Sequence, residues 1–416
     1  MHCGLDFGTS NTTLGSAAAG ETPRLLPLEG DRTTIPSAIF FDFADDRVLF
    51  GREAIAEYVA GTDGRLLRAL KSVLGSELAA ESIRIKRDLR PFTEVLGLFV
   101  GALKHRCETL LGGSLDCAVA GRPVRFVDDD EAADRRAAAQ LEAVVRAQGF
   151  RHIEFQLEPI AAALDYEQKV SREELALVVD LGGGTSDFSI VRVSPEGPRK
   201  ADRAGDILAT AGVHIGGTDF DRLLSLATVM PALGYGTPTA DGKRPLPSGR
   251  YVDLATWHRI NRLYTAHVLT ELRHTRWEAR DPNRVERMIS IVRHREGHAL
   301  AAAVEEAKIA LTDAEASAIT FDGEETTLDI RVGRDQLTRA LETAVGRIAQ
   351  TIGTALAGAG LEASRLDTLI LTGGSTRIPA IMTRLRHLFP AARFVETDAF
   401  GSVGLGLALD ARRKFG

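Results

Sequence analysis

The feature that most constrains this chain is a turn that occurs twice. Near the N-terminus, short apolar runs at residues 3–7 and 12–16 flank Gly8-Thr9-Ser10-Asn11. Near the middle, runs at 175–180 and 188–193 flank Gly182-Gly183-Gly184-Thr185-Ser186-Asp187. Apolar runs on either side of such turn residues predict strand, turn, strand. With two of the three glycines set aside, the segments align as Asp-x-Gly-Thr-Ser-Asn and Asp-x-Gly-Thr-Ser-Asp, opened by Asp6 and Asp180. Solenoid repeats recur at roughly 20–50 residues. These copies stand much further apart, so the chain is expected to fold as two homologous lobes.

The intervening chain predicts helices, which places the whole in the α/β class. Residues 94–111 carry Val95, Leu98, Phe99, Leu103 and Leu110 at helical spacing, and 131–148 carry Leu141, Val144 and Val145 among alanines. Pro159 precedes a helix over 160–166, proline being favoured in a first turn. Two further glycine-rich junctions follow. Residues 214–221, with Gly216-Gly217-Thr218-Asp219, open one helix. An apolar strand at 368–372 leads through Gly373-Gly374-Ser375-Thr376-Arg377-Ile378-Pro379 into another. Residues 231–249 read as an irregular loop, and 253–312 as largely helical.

The composition excludes several classes. The formal charge is −6 and the pI near 6.0, so no whole-chain basic field exists to hold nucleic acid or an anionic membrane. No run approaches the ~18 apolar residues of a membrane span. No basic n-region with an apolar stretch follows Met1, and Cys3, Cys107 and Cys117 have no CxxC spacing. The expectation is a soluble cytoplasmic protein, its oligomeric state open.

Glycine-rich strand-to-turn and strand-to-helix junctions present bare backbone N–H groups, and a helix N-terminus adds a positive dipole end; both suit phosphate oxygens. Four such junctions occur here, two with an aspartate two residues before the first glycine. A carboxylate beside a phosphate loop can hold Mg²⁺ through its waters, since Mg²⁺ dehydrates reluctantly. There is no GxxxxGK[ST] loop and no GxGxxG in a dinucleotide setting. The residues themselves point to a nucleotide site of another kind.

Five segments, in order, resemble the motifs of the heat-shock-protein-70 (DnaK) family. They are residues 4–11, Glu158-Pro159-Ile160-Ala161-Ala162-Ala163, residues 180–187, Gly216-Gly217-Thr218-Asp219-Phe220-Asp221 and Gly373-Gly374-Ser375-Thr376-Arg377-Ile378-Pro379. The likeness spans nearly the whole chain and looks closest to the short YegD-type members. It implies the actin-like ATPase fold of ribonuclease-H-like topology, two lobes each with a mixed five-stranded sheet and flanking helices around a cleft for ATP or ADP. Lobe I would take residues 1–174 and 402–416, with 34–113 peripheral. Lobe II would take 175–401, with 229–312 peripheral.

Carried over position by position, the resemblance assigns Asp6 and Asp180 to the waters of Mg²⁺. It assigns Gly8, Thr9, Ser10, Asn11, Gly182, Gly183, Gly184 and Thr185 to the phosphate loops, and Lys71 to the γ-phosphate. Glu158 and Asp187 would orient the attacking water. Gly216, Gly217, Glu305, Lys308, Gly373, Gly374, Ser375, Arg377 and Asp398 would line the adenosine pocket. Metal and Lys71 are expected to keep the clustered carboxylates ionised at neutral pH. The implied activity is slow ATP hydrolysis coupled to lobe movement on a protein partner.

Some residues depart from the pattern. Ile309 stands where the family often has an adenine-stacking arginine. Pro123 matches a proline of its interlobe switch, but Asp128-Asp129-Asp130-Glu131 displaces the arginine expected next, leaving Arg135 or Arg136. Nothing after Asp410 resembles the acidic-leucine linker, so no substrate-binding domain is expected. Two rival functions share the motifs: an ATP-binding regulatory or filament-forming scaffold that hardly turns over, and a small-molecule kinase. The remaining readings are structural. His294 and His298 are expected to be exposed helix residues, and the seven arginines over 273–295 a solvated face. Trp257, Ile260, Leu263, Tyr264, Val268 and Leu272 form a core stripe. Cys3 is expected to be a small buried hydrophobe.

Overall fold

The computed structural model describes residues 1–16, 21–75, 82–126, 130–200, 202–396 and 401–416. The first half runs β1 (His2–Phe7), β2 (Asn11–Ser16), β3 (Arg24–Leu25), β4 (Thr34–Pro36), β5 (Ala38–Asp42), β6 (Arg47–Phe50) and α1 (Gly51–Val59). It continues through β7 (Gly64–Arg68), β8 (Ser82–Ile85), β9 (Asp88–Pro91), α2 (Phe92–Leu111), β10 (Cys117–Arg122), α3 (Glu131–Ala147), β11 (His152–Leu157) and α4 (Glu158–Glu167). The second half opens with β12 (Glu174–Leu181), β13 (Ser186–Val193), β14 (Ile207–Val213), α5 (Gly217–Ala232), α6 (Gly249–Ala255), α7 (Ala266–Glu278), α8 (Pro282–Arg293) and α9 (Gly297–Asp313). It closes with β15 (Ala316–Asp322), β16 (Thr327–Gly333), α10 (Arg334–Gly358), β17 (Thr368–Thr372), α11 (Pro379–Leu388), β18 (Arg393–Glu396) and α12 (Ser402–Phe415).

The duplicated turns sit at equivalent places in two matching sheets. The first has the order β11-β10-β1-β2-β3 and the second β18-β17-β12-β13-β14, read from the corresponding edge. In each, the hairpin is antiparallel and the next strands inward, β10 or β17, run parallel to its first strand. The first sheet departs from the expected five strands: β4 also pairs with β2, through Asn11 to Pro36 and Thr13 to Thr34.

A three-stranded sheet, β6-β5-β7, stands beside the first lobe with α1 against it. The helices α6–α9 and the β15–β16 hairpin extend the second. The chain over 253–312 is not one helical run. A 3₁₀ helix at Trp257–Leu263, breaks at Tyr264 and Ala279, and a left-handed Arg295 (φ 58°) divide it. Ile260, Leu263, Val268 and Leu272 are buried, as a core stripe requires, whereas Trp257 and Tyr264 of the expected stripe are only partly buried.

Between the two sheets lie α4 and α12. Ile160, Ala161, Ala163, Val403, Leu407 and Ala411 pack with Val119 of the first sheet and Val178, Val191 and Ile370 of the second. The contact is close because Gly406 faces Ala161: a Cβ on Gly406 would lie 1.8 Å from the Ala161 carbonyl oxygen. Below this layer, the buried Arg203 guanidinium donates to both oxygens of Glu167 on α4, at 2.8 and 2.7 Å, and to Asp206 at 2.6 Å. No described helix is long and apolar enough to cross a membrane.

Candidate functional site

Strand register brings the carboxylates together. Asp180 on β12 faces Asp187 on β13 directly across the antiparallel pair, so both side chains leave the same face. Asp6 stands one residue before the end of β1, the equivalent place, opposite Thr13. Glu158 opens α4, with Pro159 holding the first turn, and accepts a hydrogen bond from Lys71 Nζ. Lys71 lies in a 3₁₀ helix at Leu70–Val73 and is 8% exposed, so its charge needs a carboxylate beside it.

Burial and mutual repulsion dominate the electrostatics of this cluster. Burial pushes the Asp6 carboxyl up to about 7, Glu158 adding to the rise and Lys71 opposing it. Burial pushes Asp180 up to about 8, reinforced by Asp187, Glu158 and Asp6. The Lys71 ammonium is moved upward: burial works against its charge, but Glu158, Asp6 and Asp180 outweigh it. The expected ionisation of every carboxylate at neutral pH therefore does not hold for the protein groups alone, because desolvation and mutual repulsion exceed what one lysine offsets. A divalent cation bound beside them would favour their ionised form. Among the described residues no three ligating side chains stand close enough to hold a metal directly. Mg²⁺ dehydrates reluctantly, so a pair of carboxylates such as Asp6 and Asp180 suits it through its water shell.

The glycine loops meet around the same point. Gly183 faces Ser10 so closely that a Cβ there would lie 2.0 Å from Ser10 Oγ. Gly182 accepts from Gly217 N at 3.0 Å, and Gly183 from Thr218 N at 2.8 Å and Thr218 Oγ1 at 2.9 Å, which ties the second loop to the start of α5. A Cβ on Gly217 would meet Ser375 Oγ at 3.1 Å. Gly373 needs its glycine: its φ of 83° is left-handed, and a Cβ would strike the Leu181 carbonyl oxygen at 2.3 Å. Thr185 Oγ1 donates to Asp187 at 2.9 Å.

Lys308 on α9 reaches Asp221 at 2.7 Å and Gly217 O at 3.4 Å. Burial raises the Asp221 carboxyl to about 6, with Lys308 drawing it down and Glu305 pushing it up. Asp221 is the residue that the motif assignment passed over, although it closes the Gly216–Asp221 segment; only the fold shows that it faces Lys308. Arg68, on β7, is a second such residue and feels the carboxylates of Glu305 and Asp221. Ile309 is exposed at 56%, an apolar side chain open to solvent beside this pocket. Arg377 turns to Asp313 at 3.1 Å, Arg135 to Glu131 at 3.3 Å. Asp398, Asp128 and Asp129 lie outside the described residues.

The sequence pattern of the family described as Hsp70 protein matches residues 2–229 and 284–412, most of the chain. The chain belongs to the Hsp70 family. Its fold is accordingly the actin-like ATPase fold, with the paired mixed sheets described above. It is 25% identical over 428 residues to a "Chaperone protein HscA homolog" of Actinobacillus pleuropneumoniae serotype 5b, covering 98% of this chain and 57% of that protein. It is 26% identical over 420 residues to a "Chaperone protein DnaK" of Thermosipho melanesiensis, covering 98% and 58%. An HscA homolog of Bordetella petrii is 27% identical over 426 residues, covering 98% and 57%. The chain thus spans under three fifths of the length of these relatives.

One structural expectation needs correction. His294 and His298 are not exposed neighbours on one helix: Arg295 breaks the backbone between α8 and α9, and His298 is 5% exposed. The arginines over 273–295 are largely solvated but paired, as in Arg276–Glu286 at 2.7 Å and Arg293–Glu325 at 3.1 Å. Cys3 is fully buried, and burial pushes its thiol far up, as a small hydrophobe requires.

Proposed function

We propose that this Hsp70-family chain binds ATP with Mg²⁺ between its lobes, hydrolyses it slowly, and passes the resulting lobe movement to a protein partner. One observation carries the reading: Asp6, Lys71, Glu158, Asp180 and Asp187 gather where the loop at Ser10 faces the loop at Gly183. Phosphoryl transfer needs positioning and charge stabilisation more than covalent chemistry. Bound Mg²⁺ would neutralise charge on the β- and γ-phosphates, and Asp6 and Asp180 would hold its waters. The amides around Gly183 and Gly184 and the hydroxyls of Thr9 and Ser10 would cradle phosphate oxygens. Lys71 would reach the γ-phosphate after parting from Glu158. Glu158 and Asp187 would then orient the water, with Thr185 fixing Asp187. The names of the relatives support a protein client as the partner.

A second reading, an ATP-binding scaffold with little turnover, draws on the same Lys71–Glu158 contact, since the two groups most needed at the γ-phosphate neutralise each other. Single-turnover hydrolysis of ATP with Mg²⁺ separates the readings. The ATPase reading expects turnover in the wild type and a loss of about 10²-fold or more in Lys71→Ala and Asp187→Ala, with ATP still bound. Binding without turnover in the wild type leaves the scaffold.

A further inference from the structure

A cavity of about 510 Å³ opens on the first lobe, between the loop from β3 to β4, the start of α1 and the last turns of α2. That volume falls within the range of small-molecule sites. None of the lining residues belongs to the glycine loops or to the carboxylate cluster. Arg32 enters from the loop, Arg52 from α1 and Arg106 from α2, against the carboxylates of Glu29 and Glu53. Three guanidiniums against two carboxylates leave the lining with one positive charge in excess.

The charges are unevenly engaged. Glu29 Oε1 accepts from Arg52 N at 2.7 Å and Oε2 accepts from Arg52 Nη1, so both carboxylate oxygens are taken. Arg52 Nη1 also donates to Thr34 O at 2.7 Å, which makes this pair a fixed wall. A guanidinium carries five N–H donors and no acceptor. Arg106 uses one of them on Leu28 O, which pins its head at the cavity edge; its others have no partner among the described residues. The Arg32 side chain has no partner among the described residues either. Its backbone is nonetheless held: Leu28 N donates to Arg32 O at 2.7 Å and Arg32 N to Glu29 O at 3.0 Å. One side of the cavity is apolar. Leu110 on α2 is 52% exposed, and Phe50, just before α1, is half-buried.

We infer that this cavity binds a small organic anion, a carboxylate or phosphate monoester carrying a compact apolar group. Arg32 and Arg106 hold the oxyanion, and Leu110 and Phe50 cover the apolar part. Planar guanidinium forks match both kinds of oxyanion. A few placed polar groups beside an apolar surface are the usual makeup of a small-molecule site. The inference does not rest on the nucleotide reading, since no lining residue takes part in it.

Calorimetric titration of the full chain with phenyl phosphate tests it. A saturable site with a Kd of about 1 mM or tighter is expected, at least about threefold tighter than for inorganic phosphate, which has no apolar group. Arg32→Gln removes a side chain that bonds nothing in the fold, and is expected to weaken both probes about fivefold or more. Leu110→Ala is expected to weaken phenyl phosphate about threefold and leave inorganic phosphate unchanged. Neither variant touches the glycine loops, so an anion bound there does not respond to them. Phenylacetate in place of phenyl phosphate shows which oxyanion fits better, and tighter binding of either, with the same response to Arg32→Gln, supports the inference. No saturable binding of either organic probe overturns it. So does equal affinity in the wild type and both variants, or inorganic phosphate binding as tightly as phenyl phosphate.

Discussion

In the proposed site, Asp180 would serve function against stability. Its carboxyl is held up near 8 in the folded chain, far above an unfolded aspartate. A group that binds its proton more tightly when folded loses stability as pH climbs from the unfolded value through the folded one. The chain is therefore expected to lose stability from about pH 4 to 8 at this position. Asp180→Asn should remove that loss. We expect the variant to melt about 2 °C or more higher at pH 8 without metal, yet to bind Mg²⁺ at least about tenfold more weakly in the presence of ATP. Melting curves and a metal titration check the two halves, and a variant that melts lower than the wild type at pH 8 contradicts the argument. Lys71 was legible in sequence only through its motif. Asp221 and Arg68 were not, because their partners Lys308 and Trp257 are distant in the chain and only the fold brings them near.

Among elements, the hairpins were the most legible. Apolar runs on either side of Gly8-Thr9-Ser10 leave few alternatives to β1, turn, β2, and the same logic places β12 and β13. Helix α10, the longest of the described helices, carries Leu337, Leu341, Ile348 and Ile352 at helical spacing but bears no motif. Spacing misled at α8 and α9. His294 and His298 stand four apart, as on one helix, yet a left-handed Arg295 separates them, and nothing local in Arg295-Glu296-Gly297 marks which residue turns. Burial of His298 has a measurable consequence. Desolvation lowers its pKa to about 4, Arg68 lowering it too and the Trp257 carbonyl opposing. The folded state thus refuses a proton that the unfolded state takes below about 6.5, and stability is lost as pH falls through that window. At pH 5 the loss is on the order of 2 kcal/mol. Denaturant titrations at pH 7 and pH 5 should show the stability of His298→Phe, relative to wild type, improving toward acid. A constant difference would count against a neutral buried imidazole.

At the scale of the molecule, the two lobes are joined in three layers. Arg203 with Glu167 and Asp206 ties them at the base, α4 and α12 pack between the sheets, and the Tyr58–His298–Trp257 cluster touches at the mouth. In the middle layer the backbones approach closely, a Cβ on Gly406 having no room beside the Ala161 carbonyl. The duplicated turn was enough to foretell paired lobes, but the extra strand β4 was not written in any repeat. The proposed site stands or falls with the facing loops at Ser10 and Gly183 holding the phosphates of ATP. Equilibrium titration of ATP with Mg²⁺ against the wild type and Gly183→Val tests it directly, since the added side chain would occupy the space beside Ser10. Saturable one-to-one binding that weakens at least about tenfold in the variant, with both proteins folded, is the predicted result. Absence of saturation in the wild type, or equal affinity in the two, would contradict it.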